Sequence, residues 1–294
     1  MWFEVYCEPR SVEECIEDLL RHTPDVAPLA GGTDLIPQFK DFTRSTKAVV
    51  NLMAIDRLSQ SQHCEDGSVE IGAMATLRNL AAWDALGGPL AGIREGIGSV
   101  SSVQVRNVAT LGGNSCNASP AADTVPGLIA ADTEIDIEGP EGRRRMLLEE
   151  FFVGPGATAL ATGEVLVGFR IPSPPPPTGS SYQKHAIRGN SDVAIAGVAA
   201  RLTLDPDGSV AEARVVLGAV APTAIRSARA EQALVGATPD EDAIEAAAAL
   251  AAEDCRPITD QRASAAYRRE MVRVFTKRAV RVAAERAPTN GDAA

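Results

Sequence analysis

What this 294-residue sequence lacks narrows its chemistry before any motif is read. Its five cysteines, Cys7, Cys15, Cys64, Cys116 and Cys255, are scattered, and none of their spacings matches a zinc or an iron–sulfur site. An odd, dispersed set fits reduced thiols better than a disulfide framework. Histidine is scarcer still, and His22, His63 and His185 stand apart from any ligand pattern. Positive charge is in deficit: 28 Lys and Arg face 39 Asp and Glu, for a net charge of -11. That balance argues against nonspecific binding to nucleic acid or to an anionic membrane. No apolar run approaches the roughly 18 residues of a membrane span, and the longest candidate, 193–204, is interrupted by Arg201. The opening Met-Trp-Phe-Glu has neither the basic region nor the apolar stretch of a signal peptide. The expectation is a cytoplasmic chain with no membrane span and no nucleic-acid partner. Two nucleotide fingerprints are also missing. No Gly-Lys-Ser/Thr follows a glycine pair, which excludes a Walker loop, and no Gly-x-Gly-x-x-Gly occurs, which excludes a Rossmann unit.

What is present is an ordinary globular composition, 45% hydrophobic and 23% charged, with length for two domains. The most informative features are two glycine pairs. The first is Ala30-Gly31-Gly32-Thr33-Asp34, after the apolar Ala27-Pro28-Leu29. The second is Thr110-Leu111-Gly112-Gly113-Asn114, after Val108-Ala109, and Ala118-Ser119-Pro120-Ala121-Ala122-Asp123 follows it. Glycine permits a turn at positive φ and close approach of another group to bare main chain. Successive N–H groups in such a turn form a nest for an anion. Two nests suit a ligand with two phosphates, so the pattern points to a dinucleotide site.

Periodicity places these motifs. Residues 11–22 read as a helix capped by Ser11, with Cys15, Ile16, Leu19 and Leu20 on its apolar face. A short strand at 27–30 runs into the first glycine loop, and a helix starts in 34–39, where Pro37 limits its position. Strands are expected at 48–52 and 69–71, and helices at 76–83 and 90–97. The stretch 103–110 leads to the second glycine loop, a short helix covers 123–131, and 134–138 alternates as a strand. Pro172-Ser173-Pro174-Pro175-Pro176-Pro177 is a stiff extended spacer and marks a domain boundary. Beyond it come three strands, 180–188, 194–204 and 213–219, then helices at 224–234, 240–252 and 264–286. The division is a first domain over 1–175, with subdomains of about 1–57 and 58–175, a second over 178–286, and a disordered tail over 287–294.

Each candidate has a plainer alternative. The first glycine pair by itself is equally a strand-to-helix turn. Asp123 either caps the helix that follows or accepts a hydrogen bond from a ribose or a flavin. Lys184 is either a solvated strand lysine or a ligand contact. Cys116 reads as a small buried filler, with a covalent flavin link as the alternative. The Arg268/Arg269 and Lys277/Arg278 pairs read as a solvated helix face, with an acidic partner chain as the alternative.

Taken together and in order, the two glycine motifs, Arg106-Asn107-Val108-Ala109, Glu164-Val165-Leu166, Tyr182-Gln183-Lys184, Gly218–Thr223 and Tyr267-Arg268-Arg269-Glu270-Met271 resemble the FAD-binding medium subunit of molybdenum hydroxylases. That family includes xanthine dehydrogenase and aerobic carbon monoxide dehydrogenase, and the resemblance spans essentially the whole chain. It implies an α+β fold of the vanillyl-alcohol-oxidase type, with FAD between two subdomains, then a smaller domain with a three-stranded antiparallel sheet and helices. It implies noncovalent FAD wrapped by Leu29, Ala30, Gly31, Gly32, Thr33, Asp34, Leu35 and Ile36 and by Thr110, Leu111, Gly112, Gly113 and Asn114. Asp123, Leu166 and Lys184 are the further contacts. No catalytic side chain and no metal ligand are expected in this chain. The molybdenum cofactor and two [2Fe–2S] clusters belong to a large and a small partner subunit, and the trio is expected to double about a two-fold axis. The chain lacks the inserted cysteine loop that carries an extra cluster in relatives resembling hydroxybenzoyl-CoA reductases.

The function implied is electron transfer from the clusters to an external acceptor. Two other classes remain open at this point, a self-contained FAD oxidase and a nonredox flavin-nucleotide module. An aromatic content of 4%, with three tyrosines, counts against the oxidase, which needs a substrate pocket over the flavin.

Overall fold

Ser11 opens the first helix by accepting a hydrogen bond from the Glu14 N–H at 3.1 Å, the N-cap role its hydroxyl predicts. The computed structural model describes residues 2–188 and 191–287. Its first part runs β1 (Val5–Cys7), α1 (Val12–His22), β2 (Val26–Leu29), α2 (Leu35–Lys40) and β3 (Ala48–Asn51), with the strands in a parallel sheet of order β1-β3-β2. Val12, Cys15 and Leu19 form the buried stripe of α1, at the spacing of one helix face. Pro37 falls in the first turn of α2, where a missing N–H leaves no helical bond unmade. Leu35 and Phe39, one turn apart, pack with Ala27 and Val49 beneath.

The second part is β4 (Ser61–His63), β5 (Val69–Gly72), α3 (Leu77–Ala81), α4 (Ala91–Gly98), α5 (Val103–Arg106), α6 (Leu111–Cys116), α7 (Thr124–Ala130), β6 (Glu134–Gly139), β7 (Gly142–Leu147), α8 (Leu148–Phe151), β8 (Phe152–Gly154), β9 (Ala157–Thr158) and β10 (Val165–Ile171). An antiparallel five-stranded sheet has the order β4-β5-β10-β6-β7. The chain leaves it at Gly72, passes through five short α-helices and returns as β6. That excursion carries the second glycine pair, Asp123, and much of the wall described below.

The third part has β11 (Thr178–His185), β12 (Ala196–Leu204), β13 (Val210–Gly218), β14 (Ile225–Arg226), α9 (Ala228–Leu234), α10 (Glu241–Asp254) and α11 (Ala265–Glu285). The three expected strands form an antiparallel sheet, and the two-residue β14 adds a fourth at its edge. All nine residues of β12 are buried because helices cover both faces. Val198, Leu202, Val272 and Val280 fill the core on the α11 side. Tyr182, Ala199 and Val216 join the core of the second part. The contact there is close because α4 carries glycine where it is crossed. A methyl on Gly92 would lie 3.1 Å from the Ser181 carbonyl carbon, and one on Gly96 would lie 2.5 Å from the Asp123 carbonyl oxygen. This packing sets β11 against the start of α7.

One surface expectation fails. Arg268 is buried, donates to the Ile195 carbonyl at 2.7 Å and pairs with Asp260 at 2.9 Å. It sits one turn before Val272, on the same inward stripe of α11. Lys277 pairs with Glu245 at 2.8 Å, and the Arg278 guanidinium lies over the Phe275 ring. Of the expected tail, Ala287 is buried against Gly179, and the remainder lies outside the described residues.

Candidate functional site

A cavity of about 810 Å³ opens where β2–α2, α5–α7 and β10 meet, within the size range of cofactor sites. Both glycine motifs line it. In the first, Gly32 has φ 70°, the left-handed value its sequence context predicts. The main-chain N–H groups of Gly31, Gly32, Thr33 and Asp34 find no acceptor among the described residues. All four residues line the cavity, and a run of unspent main-chain donors is the kind of nest that accepts a phosphate oxygen. These residues fit a diphosphate.

The second motif differs from expectation. Gly112 and Gly113 are not in a positive-φ loop; they lie in the first turn of the six-residue α6. The N–H groups there are already spent. Leu111 donates to the Ala75 carbonyl at 3.1 Å, Gly112 to the Ala73 carbonyl at 2.8 Å, and Gly113 to the Thr110 Oγ1 at 3.0 Å. Glycine is needed for close approach instead. A methyl on Gly112 would meet the Ala73 carbonyl oxygen at 2.7 Å, and one on Gly113 would meet Thr110 Oγ1 at 2.8 Å and Ala30 Cβ at 3.2 Å. The second motif is the floor on which the first rests. Asn117 Nδ2 also donates to Asp34 Oδ1 at 3.3 Å, tying the two together. Asn114 Oδ1 accepts from Thr124 Oγ1 at 2.6 Å, which leaves its amide nitrogen for a ligand.

Asp123 does not cap α7 with its side chain. Asp123 lines the cavity, and its carboxylate is held by two donors: Tyr182 Oη donates to Oδ1 at 2.8 Å and Lys184 Nζ to Oδ2 at 2.7 Å. Lys184 Nζ also donates to the Ser99 carbonyl at 3.0 Å. Both charged side chains are more than nine-tenths buried, so Lys184 is not a solvated strand residue. Burial raises the Asp123 pKa, and the two donors hold that rise back. Burial and the Asp123 charge raise the Tyr182 phenol, which stays protonated as the donor.

Twelve of the residues expected at the site face the cavity: Ala30, Gly31, Gly32, Thr33, Asp34, Leu35, Thr110, Gly112, Gly113, Asn114, Asp123 and Leu166. Leu29, Ile36, Leu111 and Lys184 stand behind this wall. Ser101, Met74 and Thr158 line it without having been expected. Ser101 has a signal only in three dimensions, a φ of 46° in the turn whose carbonyls at Val100 and Ser101 take the Arg106 guanidinium at 2.7 and 2.9 Å. Cys116 reaches the cavity, but burial pushes its thiol up to about 12, which disfavours the thiolate that a covalent link needs. Among the described residues, no histidine or aromatic side chain lines the cavity, and no helix is long and apolar enough to cross a membrane.

Comparison with known proteins agrees with this geometry. Residues 2–174 match the family model described as the FAD binding domain in molybdopterin dehydrogenase, and residues 180–283 match the CO dehydrogenase flavoprotein C-terminal domain. The carbon monoxide dehydrogenase medium chain of Afipia carboxidovorans is 34% identical over 282 residues, 96% of this chain and 97% of that one. The xanthine dehydrogenase FAD-binding subunit of Escherichia coli O157:H7 is 32% identical over 264 residues, 90% of each chain. The structure of carbon monoxide dehydrogenase from Hydrogenophaga pseudoflava aligns with a TM-score of 0.93 at 33% identity, covering 98% of this chain and 99% of that one. The expected α+β fold, an FAD-binding domain followed by a smaller C-terminal domain, is therefore the fold of that enzyme's matching chain. This chain belongs to the family of FAD-binding subunits of the molybdenum hydroxylases, the family of the xanthine dehydrogenase FAD subunit and the carbon monoxide dehydrogenase medium chain.

Proposed function

We propose that this chain holds one noncovalent FAD in the cavity and serves as the electron-transfer subunit of a molybdenum-containing hydroxylase. The observation that carries this reading is the row of unpaired N–H groups from Gly31 to Asp34 on the wall of a dinucleotide-sized cavity. When bound, FAD supplies a redox group that exchanges electrons singly or in pairs. The chain's own residues bind and orient. The first glycine motif takes the diphosphate, the second supports it, and the Asn114 amide and Asp123 carboxylate offer hydrogen bonds. Leu52, Met74 and Leu166 give apolar wall. Lys184 acts at one remove, by fixing Asp123.

The complex we propose is a cytoplasmic trio of this chain, a small iron–sulfur subunit and a large molybdopterin subunit, doubled about a two-fold axis. We also propose that the chain divides at 175–178, within and just past the proline-rich spacer. A self-contained oxidase is less supported, because no aromatic or histidine side chain among the described residues lines the cavity to hold an organic substrate. The test is co-purification with the tagged chain, followed by metal analysis and mass measurement. Molybdenum and iron should arrive with two further chains, and neither should remain on this chain when it is isolated. A metal-free monomer that oxidises an organic substrate would overturn the subunit reading.

A further inference from the structure

The turn that ends α2 is strained without any gain in burial. Phe42 has φ 54°, its N–H donates to the Phe39 carbonyl at 3.2 Å, and the Thr43 N–H donates to the Gln38 carbonyl at 3.0 Å. This is a Schellman-type cap, in which glycine usually takes the left-handed position because an L side chain is strained there. Phe42 is nonetheless 86% exposed. The Gln38 carbonyl accepts twice more, from Thr43 Oγ1 at 3.2 Å and from the Arg44 N–H at 3.3 Å. These bonds fold the chain back, so that Arg44 and Gln38 line the same cavity. Gln38 in turn donates its N–H to the Asp34 carbonyl at 3.2 Å. Gln38 therefore lies about one helical pitch, ~5.4 Å, from the end of the first glycine motif, a span a long side chain beside it can cover.

The charges of the wall single out the same residue. Its charged side chains are Asp34, Arg44, Asp123 and Glu164. Asp123 is answered by Lys184, and Glu164 by Arg144 at 2.7 and 2.8 Å. Arg44 is the basic member, and among the described residues its guanidinium makes no hydrogen bond or ion pair. The open N–H groups supply partial charges only, in a chain whose net charge is -11. A diphosphate placed on them lacks a full countercharge.

We infer that Arg44 is a further FAD-binding residue, whose guanidinium supplies the countercharge to a diphosphate held on the glycine nest. Its planar fork of donors suits phosphate oxygens, and the strained Phe42 turn is what aims it inward. This inference rests on the cavity being an FAD site.

The experiment titrates the full chain, stripped of flavin, with FAD at several salt concentrations, for wild type, Arg44→Ala and Arg44→Lys. Arg44→Ala should weaken FAD about tenfold or more at low salt. The gap from wild type should close as salt rises, and Arg44→Lys should recover part of the loss, because it keeps the charge and not the fork. Equal affinity in wild type and Arg44→Ala overturns the inference. So does a loss that ignores salt and is not rescued by lysine. A wild-type chain that takes up no FAD overturns the cofactor reading and this inference with it, and is distinguished by failing before any variant is compared.

Discussion

A methyl group on Gly31 would sit 1.9 Å from the Val108 carbonyl oxygen, so the two glycine motifs meet main chain to main chain. Only a shift of main chain can make that room, because the obstructing atoms are backbone. Gly31→Ala should therefore separate the motifs. Overpacking of this kind costs about 1–3 kcal/mol. We expect a lower thermal midpoint and loss of bound flavin, measured by calorimetry and absorbance. A variant with wild-type flavin content would show that the contact is not required.

Gly32→Val and Gly113→Val should both abolish FAD retention while leaving the chain folded, for different reasons. At Gly32 a β-branched residue is forced to φ 70° and faces Ile36 and Leu29 at 3.0 and 3.2 Å. At Gly113 the added side chain displaces Thr110 Oγ1 from its cap on the Gly113 N–H. Circular dichroism and flavin absorbance separate folding from binding. Full flavin occupancy in either variant would show that its motif is not required for binding.

Lys184→Met should be costlier than a surface lysine change, because it strands the buried Asp123 carboxylate. Removing one partner of a buried pair typically costs about 3–5 kcal/mol. Asp123→Ala should weaken FAD by about 1–3 kcal/mol, and the double variant Asp123→Ala/Lys184→Met should lose less stability than the sum of the two single variants. Denaturant melts and FAD titrations of all variants check this. Strict additivity would mean that the two residues act separately.

Acid should destabilise the chain through carboxylates such as Asp260. The Arg262 N–H and the Arg268 guanidinium hold its pKa well below the ordinary value. A depressed folded pKa means stability that is present above the unfolded pKa, near 4, and lost as pH falls below it. Asp260→Asn should lower the melting midpoint at neutral pH and leave less difference from wild type near pH 3. A constant difference across that range would assign the effect to something other than ionisation.

Much of this arrangement was legible in the sequence, because its signals are local. Ser11 and Thr76 predict their helix starts, and Gly32 predicts its positive φ. What was not legible depends on distant partners. The helix over Leu111–Cys116 has six residues, too few for a periodic face, so its glycines read as a loop. Arg268 looked solvated because the sequence does not show the Ile195 carbonyl that receives it. Lys184 was expected as a direct contact; its place behind Asp123 emerges only from the packing of β11 on α4.

The most direct test of the central claim is the flavin content of the purified chain before and after acid precipitation. One FAD per chain is expected, all of it released to the supernatant. FMN in place of FAD, flavin retained on the pellet, or no flavin at all would contradict it.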